Sequence, residues 1–542
     1  MAVSGLERMA AAPVTVTVAV AVVVGFLIFY YTLTPSVDPR EPPVLKPQIP
    51  LVGHIIGMMR HQALYHTMLQ QSTGKPIATL PMLTGKVYAI WDPHLIAAGL
   101  RNKNLSSNPH VKVVTPIVTQ VTKHTADILT GPGGDHLTDR IMLHAIPNSF
   151  KGTAIQRLNE TALAALASSL SAFGAAGRPE TVPNAWLWLR RLITSATGKA
   201  VYGPEDPFAK DAAVEEALWD VEDSLLKLSL NLPAPLARAG HRARAVLQKA
   251  LMPYYAARHD EDAAASDFVR LRAAELRKGG MPDDDIARVE IMLPFAAMAN
   301  TVPLLFWLVC HIFSRPGLVE QLRREVEAGL VVVAAAKTDD GNGNGEITLR
   351  AGTAAVEERC PLLMSVYRET LRWTVHQVST RTALQDTVLT DRTGRQYLLK
   401  AGTVVQMAIG AAHAHGEYWG DDVDEFKPDR FVRKEATADG NGNGEEGPGG
   451  AKAMRAAFQP FGGGLHLCPG RHFAFAEMMA VVSTLLLGFE VEPLDGTEWK
   501  LPGLATRSVI SAVTKPAKNG EGFGMRFRRR PGWENARWVY QL

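Results

Sequence analysis

Cysteine is scarce in this 542-residue chain: there are three, Cys310, Cys360 and Cys468. They form no CxxC pair and keep no zinc-like spacing with histidine, which excludes a disulfide framework and points to a reducing compartment. A strong charge of either sign is also missing, since 57 Lys+Arg stand against 54 Asp+Glu for a net +3. So mild an excess gives no electrostatic footprint for nucleic acid. No G-x-G-x-x-G follows a strand-like run, and no flavin motif occurs, so the chain carries no dinucleotide fingerprint of its own. What it does have is apolar material, 46% hydrophobic residues against 20% charged, enough to bury a sizeable core.

One long run has no charge at all, Met9 through Val37. Taken as a helix from Ala10 to Leu33 it would be roughly 36 Å long at about 1.5 Å per residue, enough to cross a hydrocarbon layer of about 30 Å with some tilt. Tyr30 and Tyr31 would then sit near an interface. The run exceeds a signal-peptide core and ends in "TPSVDPREPPV", with no small-residue cleavage site. Residues 1–34 therefore read as a retained membrane anchor. Residues 35–50, with six prolines, read as a stiff linker, and residues 51–542 as one catalytic domain. The flanking charges do not set an orientation.

Beyond the linker the chain reads as mainly helical, with amphipathic runs such as "AIQRLNETALAALASSLSAF". Strand-like stretches are few: "KVYAIWD", "DTVLTD", "RQYLLK", "TVVQMA" and "GMRFRRR". Two nearly identical segments, "DDGNGNGE" and "ADGNGNGE", cannot pack and predict mobile surface insertions over 337–348 and 436–452.

The stretch that carries chemistry is "FGGGLHLCPG", Phe461 to Gly470, followed by the apolar helix pattern "RHFAFAEMMAVVSTLLLGF". A thiolate at the start of a helix feels its positive end, which lowers the cysteine pKa and lets it bind metal. The glycines let backbone lie close to a flat group. All ten positions resemble the haem-thiolate signature of the cytochrome P450 family, in which the cysteine is the axial ligand of the haem iron. That resemblance implies a mainly α fold with a large helical domain, a small β-rich region and an N-terminal transmembrane helix. It also implies haem b as cofactor, with Cys468 on its iron and Phe461 against it. Cys310 and Cys360 have no such surroundings and read as core or surface thiols.

Two further motifs extend the resemblance. In "LLMSVYRETLRWTV", Glu369 and Arg372 share a helix face at i,i+3. In the family this pair is joined by a downstream arginine, here Arg430 of "DEFKPDRF". One buried carboxylate between two guanidiniums is a structural triad, and cutting Glu369 would strand positive charge at roughly 3–5 kcal/mol. In "DIARVEIMLPFAAMANTVPLLFWLVCHIF" Pro303 lacks an N–H, so the Ala299 carbonyl loses its helical partner and the Thr301 hydroxyl is placed to fill the gap. Against the family's distal helix this stretch keeps the threonine but has Asn300 where an acid is usual. Asn300 can bond a water but cannot titrate. "ANTVP" and the closing "MRFRRRP" resemble the subgroup of sterol 7α- and 12α-hydroxylases and prostacyclin synthase.

By the same resemblance, His466, two before the cysteine, and Arg381, nine after Arg372, would meet the haem carboxylates, as would His136 and Arg140 at i,i+4. His413 and His415 have no metal-like partners and read as structural. Phe295, Ala296, Ala299, Val375 and Val378 would line an apolar substrate pocket. The implied activity is hydroxylation of a lipophilic substrate (sterol, fatty acid, terpenoid or other secondary metabolite) with O2, Thr301 and Asn300 being the catalytic pair. Electrons would come from a separate NADPH–cytochrome P450 reductase. The body would sit on the cytosolic face of the endoplasmic reticulum membrane behind a single-pass anchor, with no nucleic-acid partner. Two alternatives stay open: a reductase-independent isomerase or dehydratase of lipid peroxides, and a non-catalytic haem- or steroid-binding membrane protein.

Overall fold

A computed structural model describes residues 37–47, 53–83, 85–175, 178–333, 345–432, 450–496, 498–506, 508 and 510–542. The expected anchor, 1–34, lies outside the described residues, as does most of each glycine-asparagine insertion.

The helices that build the site are α1 (Pro93–Arg101), α2 (Asn108–Thr119), α3 (Gly152–Ala172), α4 (Ala185–Tyr202), α5 (Ala212–Ser229), α6 (Arg238–Ala256), α7 (Asp283–Val289), α8 (Met292–Met298), α9 (Thr301–Phe313), α10 (Pro316–Leu330), α11 (Pro361–Thr374) and α12 (Arg471–Gly488). Their starts follow from local chemistry. Asp92 precedes α1, with Pro93 at the first helical position, and its carboxylate accepts from the amides of His94 and Leu95; Asn184 and Asp211 cap α4 and α5 in the same way.

The apolar run from Asp283 to Phe313 is one sequence pattern but three helices. Pro294 and Pro303 are each the third residue of a segment, α8 and α9, where a missing N–H leaves no intrahelical bond unmade. The residues before each segment therefore turn out of the helix. At the first break Glu290 is wholly buried and held by Arg272, Nη2 to Oε1 at 2.8 Å. At the second, Ala299 and Asn300 form a turn. Among the described residues this run is long and apolar enough to span a membrane, yet 78% of its most apolar window is buried and every residue of α9 is buried. It is the centre of the core, packed on α11 and α12.

The β structure is small. Strands β1 (Ile77–Met82), β2 (Gly85–Ile90), β3 (Leu105–Ser106), β7 (Val378–Ala383) and β10 (Val404–Ala408) form a sheet ordered β1-β2-β10-β7-β3, with β10 parallel to β2 and the other pairs antiparallel. Two three-stranded sheets, β11-β12-β4 and β13-β6-β5, and the β8-β9 hairpin complete it; here β4 is Glu180–Val182, β5 Val331–Val333, β6 Glu346–Arg350, β8 Thr387–Thr390, β9 Gln396–Leu399, β11 Phe489–Pro493, β12 Met525–Arg529 and β13 Arg537–Gln541. All five strand-like stretches read from the sequence coincide with strands. Five more of four residues or longer were not picked out there: β1, β6, β7, β11 and β13.

Two boundaries move. The proline-rich segment is not a free spacer over its described part: Leu45 N donates to Thr79 O and Thr79 N to Pro43 O, both at 2.9 Å, and Glu41 is buried accepting from Tyr88 Oη at 2.6 Å. Closely spaced prolines expose carbonyls without competing N–H groups, which suits them to the edge of β1. The first insertion also ends sooner than expected, because residues 346–348 belong to β6, paired in parallel with β13. Residues 451–452 likewise open the helix Ala451–Ala457.

Candidate active site

The loop before α12 is shaped by glycine. Gly462 and Gly464 have φ of +71° and +62°, and a Cβ on Gly464 would lie 2.0 Å from the Leu100 carbonyl of α1. The loop folds back on itself, Cys468 N donating to Phe461 O at 3.0 Å, while Arg471 Nη1 donates to the Cys468 carbonyl at 2.9 Å. The sulfur accepts from the amides of Gly470 and Arg471 at the start of α12. Those amides and the Arg471 charge pull the thiol pKa down as the sequence predicts, but burial outweighs them and holds it above its ordinary value. An uncharged, desolvated sulfur is therefore what the protein alone presents.

Behind this loop lies a buried ion network. Arg372 donates to both oxygens of Glu369, at 2.7 and 2.8 Å, and Arg430 Nε sits 3.0 and 3.1 Å from the same pair. Glu369 is wholly buried and Arg372 nearly so. The remaining guanidinium protons meet carbonyls of His413, Trp419, Asp422, Val423 and Glu425, so every charge is satisfied. His413 links this network to the cysteine loop: Arg372 bonds its carbonyl, and its Nε2 accepts from Gln459 N at 3.4 Å. Burial pushes its pKa down to about 3, leaving it neutral. His415 caps a short helix through Glu417 N. Among the described residues, no group of three or more His, Cys, Asp or Glu is arranged to hold a metal ion.

On the broken helix, Thr301 Oγ1 donates to the Ala297 carbonyl at 3.3 Å, not to Ala299 as expected from Pro303. Four residues back is the natural reach of a helical threonine, whereas Ala299 is too near in the chain. Asn300 Oδ1 accepts from the backbone amides of Ala512 and Val513. Ala296 is exposed although its helix is part of the core, so that face of the break borders open space, with Phe295 and Asn300 partly accessible beside it. Ala299, Val375 and Val378 are buried, and Val375 pairs with Val513. The segment 511–515 was not picked out from the sequence. It crosses the break, bonds His376 and Thr374, and reaches α5, where Ser511 Oγ donates to Glu222 at 2.5 Å and Lys515 pairs with Glu222 and Asp223. No local signal marks it, since these partners, from His376 to Glu222, lie 138 to 293 residues from the side chains they meet.

The model of the cytochrome P450 family matches residues 42–518. The chain belongs to the cytochrome P450 family. A cytochrome P450 monooxygenase of Gibberella zeae is 36% identical over 517 residues, covering 93% of this chain and 92% of its own length. Cytochrome P450 monooxygenase nodJ of Hypoxylon pulicicidum is 30% identical, covering 94% and 93%. More distantly, cholesterol 7-alpha-monooxygenase of Cricetulus griseus is 26% identical over 270 residues, 49% of this chain. This P450 is accordingly a monooxygenase, an oxidoreductase of a haem-dependent family.

The residues present fit a haem. A sulfur aimed by two amides suits the iron, and a group of cations with little counter-charge suits the carboxylates. Arg381 on β7 is partly buried, makes one side-chain hydrogen bond among the described residues, to Thr380 O at 2.9 Å, and has no carboxylate partner there. Its charge acts on His466, which lies on the cysteine loop. His136 and Arg140 are not part of this group. Both are exposed, and Arg140 Nε bonds Glu275 at 2.8 Å where the chain passes from α-helix into the π-turn Arg140–Ala145.

Proposed function

We propose that this P450 is a membrane-anchored monooxygenase that binds haem b through Cys468 and inserts one atom of O2 into a C–H bond of a lipophilic substrate. The carrying observation is the helix break, where exposed Ala296 precedes the retained Thr301 and Asn300 holds Val513, itself paired with Val375. Haem supplies the O2 and electron chemistry when bound, tuned by its sulfur ligand. Gly470 and Arg471 amides stabilise negative charge on Cys468, and the Glu369–Arg372–Arg430 network fixes the loop that carries it. Thr301 offers its hydroxyl proton at the break, where Asn300 supplies no titrating carboxylate. Phe461, His466 and Arg381 seat the flat group, while Phe295, Ala296, Ala299, Val375 and Val378 exclude water from a lipophilic substrate. The similarity to a protein named cholesterol 7-alpha-monooxygenase supports a substrate of that character.

With no dinucleotide motif of its own, the enzyme takes electrons from a separate NADPH–cytochrome P450 reductase. Residues 1–34 hold it to the endoplasmic reticulum with the body in the cytosol. The test is the CO-bound ferrous spectrum of wild type and Cys468→Ala, followed by turnover. A thiolate places the Soret band near ~450 nm, and Cys468→Ala abolishes it. Product formation from NADPH, reductase and O2 across a lipophilic panel supports the monooxygenase. Rapid isomerisation of lipid hydroperoxides without NADPH, with no product from NADPH and O2, replaces it by the peroxide isomerase. The band without either activity leaves a haem-binding protein.

A further inference from the structure

Two helices near the start of the described body are turned inside out. The helix Ile55–His61 has no buried residue, and its Ile56 and Met59 are 46% and 65% exposed. Gly57 fixes which way it lies: a Cβ there would sit 2.3 Å from the Tyr65 ring, so this side is pressed on the body. Met59 follows two residues later, about 200° around the axis at about 100° per residue, and so faces outward. The next helix, Leu64–Thr73, repeats the inversion with polar side chains inside. His66, Thr67 and Gln70 are buried, while Leu64 and Met68, one turn apart, are 38% and 42% exposed. A helix that faces water on its outer side carries the opposite pattern. The strand end beside them agrees: Gly53 bridges Met82, and the following Leu83 is 43% exposed.

Charge points the same way. From Pro42 to Trp91 there is no Asp or Glu, while Lys46, Arg60, Lys75 and Lys86 are present. Lys86 is held by Glu41; Lys46 and Arg60 are exposed, Arg60 directly after Met59. An apolar face with a cationic, acid-free border matches the boundary of an anionic bilayer, where acyl chains meet headgroups. Position matches as well. The Arg40 carbonyl accepts from Leu398 N at 2.9 Å, so the chain is fixed to the body from there. His54 then ties the linker to the second helix, Nε2 meeting the Leu45 carbonyl at 3.1 Å and Nδ1 the Tyr65 hydroxyl at 2.8 Å. The six residues from Thr34 to Arg40 reach at most about 20 Å, so a bilayer crossed by residues 1–34 lies close to this part of the body.

We infer that the helices Ile55–His61 and Leu64–Thr73, with Leu83, are a second membrane contact, seated at the headgroup–acyl boundary of an anionic bilayer. The contact rests on the reading of residues 1–34 as an anchor and adds a fixed stance to it. The body lies on the bilayer by this one face instead of turning at the end of a tether.

The experiment places the full-length holoprotein in vesicles of phosphatidylcholine and phosphatidylserine, so sparsely that no vesicle holds two chains. A nitroxide is attached to Met59→Cys, to Leu64→Cys or, for comparison, to Glu358→Cys, an exposed position elsewhere on the body. The unsubstituted chain, carried through the same labelling, supplies the background from Cys310, Cys360 and Cys468. Electron paramagnetic resonance reads collisions of the label with O2, which concentrates among acyl chains, and with a water-soluble nickel chelate. The ratio of O2 to nickel collisions is several-fold higher at Met59 and Leu64 than at Glu358. A ratio at Met59 or Leu64 equal to that at Glu358 overturns the contact. So does a fall in both collision rates, since protein rather than lipid would then cover the face. If either labelled variant does not fold, the label on Ile56→Cys or Met68→Cys, on the same two helices, decides by the same ratio. Full-length chain washed from membranes by alkaline carbonate would instead refute the anchor, so the two failures are distinct.

Discussion

The side-chain oxygen of Asn300 accepts hydrogen bonds from two consecutive backbone amides 212 and 213 residues away, Ala512 N at 3.1 Å and Val513 N at 3.2 Å. Both lone pairs are engaged, so Asn300 clamps the segment 511–515 against the helix break, and only its amide N–H groups remain to face solvent or substrate. Asn300→Leu strands two amides at about 1–3 kcal/mol each. Its thermal midpoint falls by several degrees and imidazole binding at the pocket changes, whereas Asn300→Asp, which keeps the acceptor, stays closer to wild type. A leucine variant that melts with wild type would show that the clamp is immaterial.

Glu369→Ala leaves Arg372 buried without a carboxylate, a loss of roughly 3–5 kcal/mol, while Arg430 keeps Asp422 at 2.6 Å. Because Arg372 also holds the His413 carbonyl, the damage spreads to the cysteine loop. The haem-to-protein ratio after purification should drop sharply, with Glu369→Asp in between. Full haem occupancy in the alanine variant would remove the triad from the architecture of the loop.

Thr301 has its hydroxyl on the Ala297 carbonyl, and it is the one protic side chain of the break not committed to segment 511–515. Thr301→Ala uncouples the enzyme, with NADPH consumed and peroxide released while product formation falls about tenfold, about 1.4 kcal/mol on the barrier. Thr301→Ser restores coupling. The ratio of product to NADPH measures it, and an unchanged ratio excludes Thr301 from proton supply.

Glu477 on α12 is wholly buried, with Thr197 Oγ1 donating to it at 2.7 Å and no charged partner among the described residues. Burial raises its pKa from 4.5 to about 8, so the fold holds it protonated. Between those values the unfolded chain releases the proton and the folded chain keeps it, so stability present at low pH is lost as pH rises toward 8. Melting midpoints taken from pH 5 to 8.5 should decline in wild type and decline less in Glu477→Gln. Parallel curves would rule out this residue as the source of the slope.

Removing residues 1–34 leaves Glu41, Pro43 and Leu45 on the β1 edge, and the body should still take up haem. Removing residues 1–46 strips that edge and exposes buried Tyr88, lowering the melting midpoint by several degrees. Equal stability of the two truncations would mean that residues 37–46 add nothing to the body.

Much of this site is legible in sequence because its signals are local. The glycine-cysteine loop, the Glu369–Arg372 spacing, the two prolines and the alternating strand patterns each act within one turn or one strand, so neighbouring residues suffice to specify them. The apolar run Asp283–Phe313 shows its core character in composition, and Pro294 and Pro303 mark where it must break. What sequence could not decide is direction. Whether Asn300 faces a water or the amides of Ala512 and Val513, and whether Arg140 meets a carboxylate ligand or Glu275, depends on which partners the chain delivers from more than a hundred residues away. The proline-rich segment joined the body only because β1 offered an open edge. The thiol of Cys468 shows the same division: the helix start that lowers its pKa can be read locally, while the burial that raises it is a property of the closed fold.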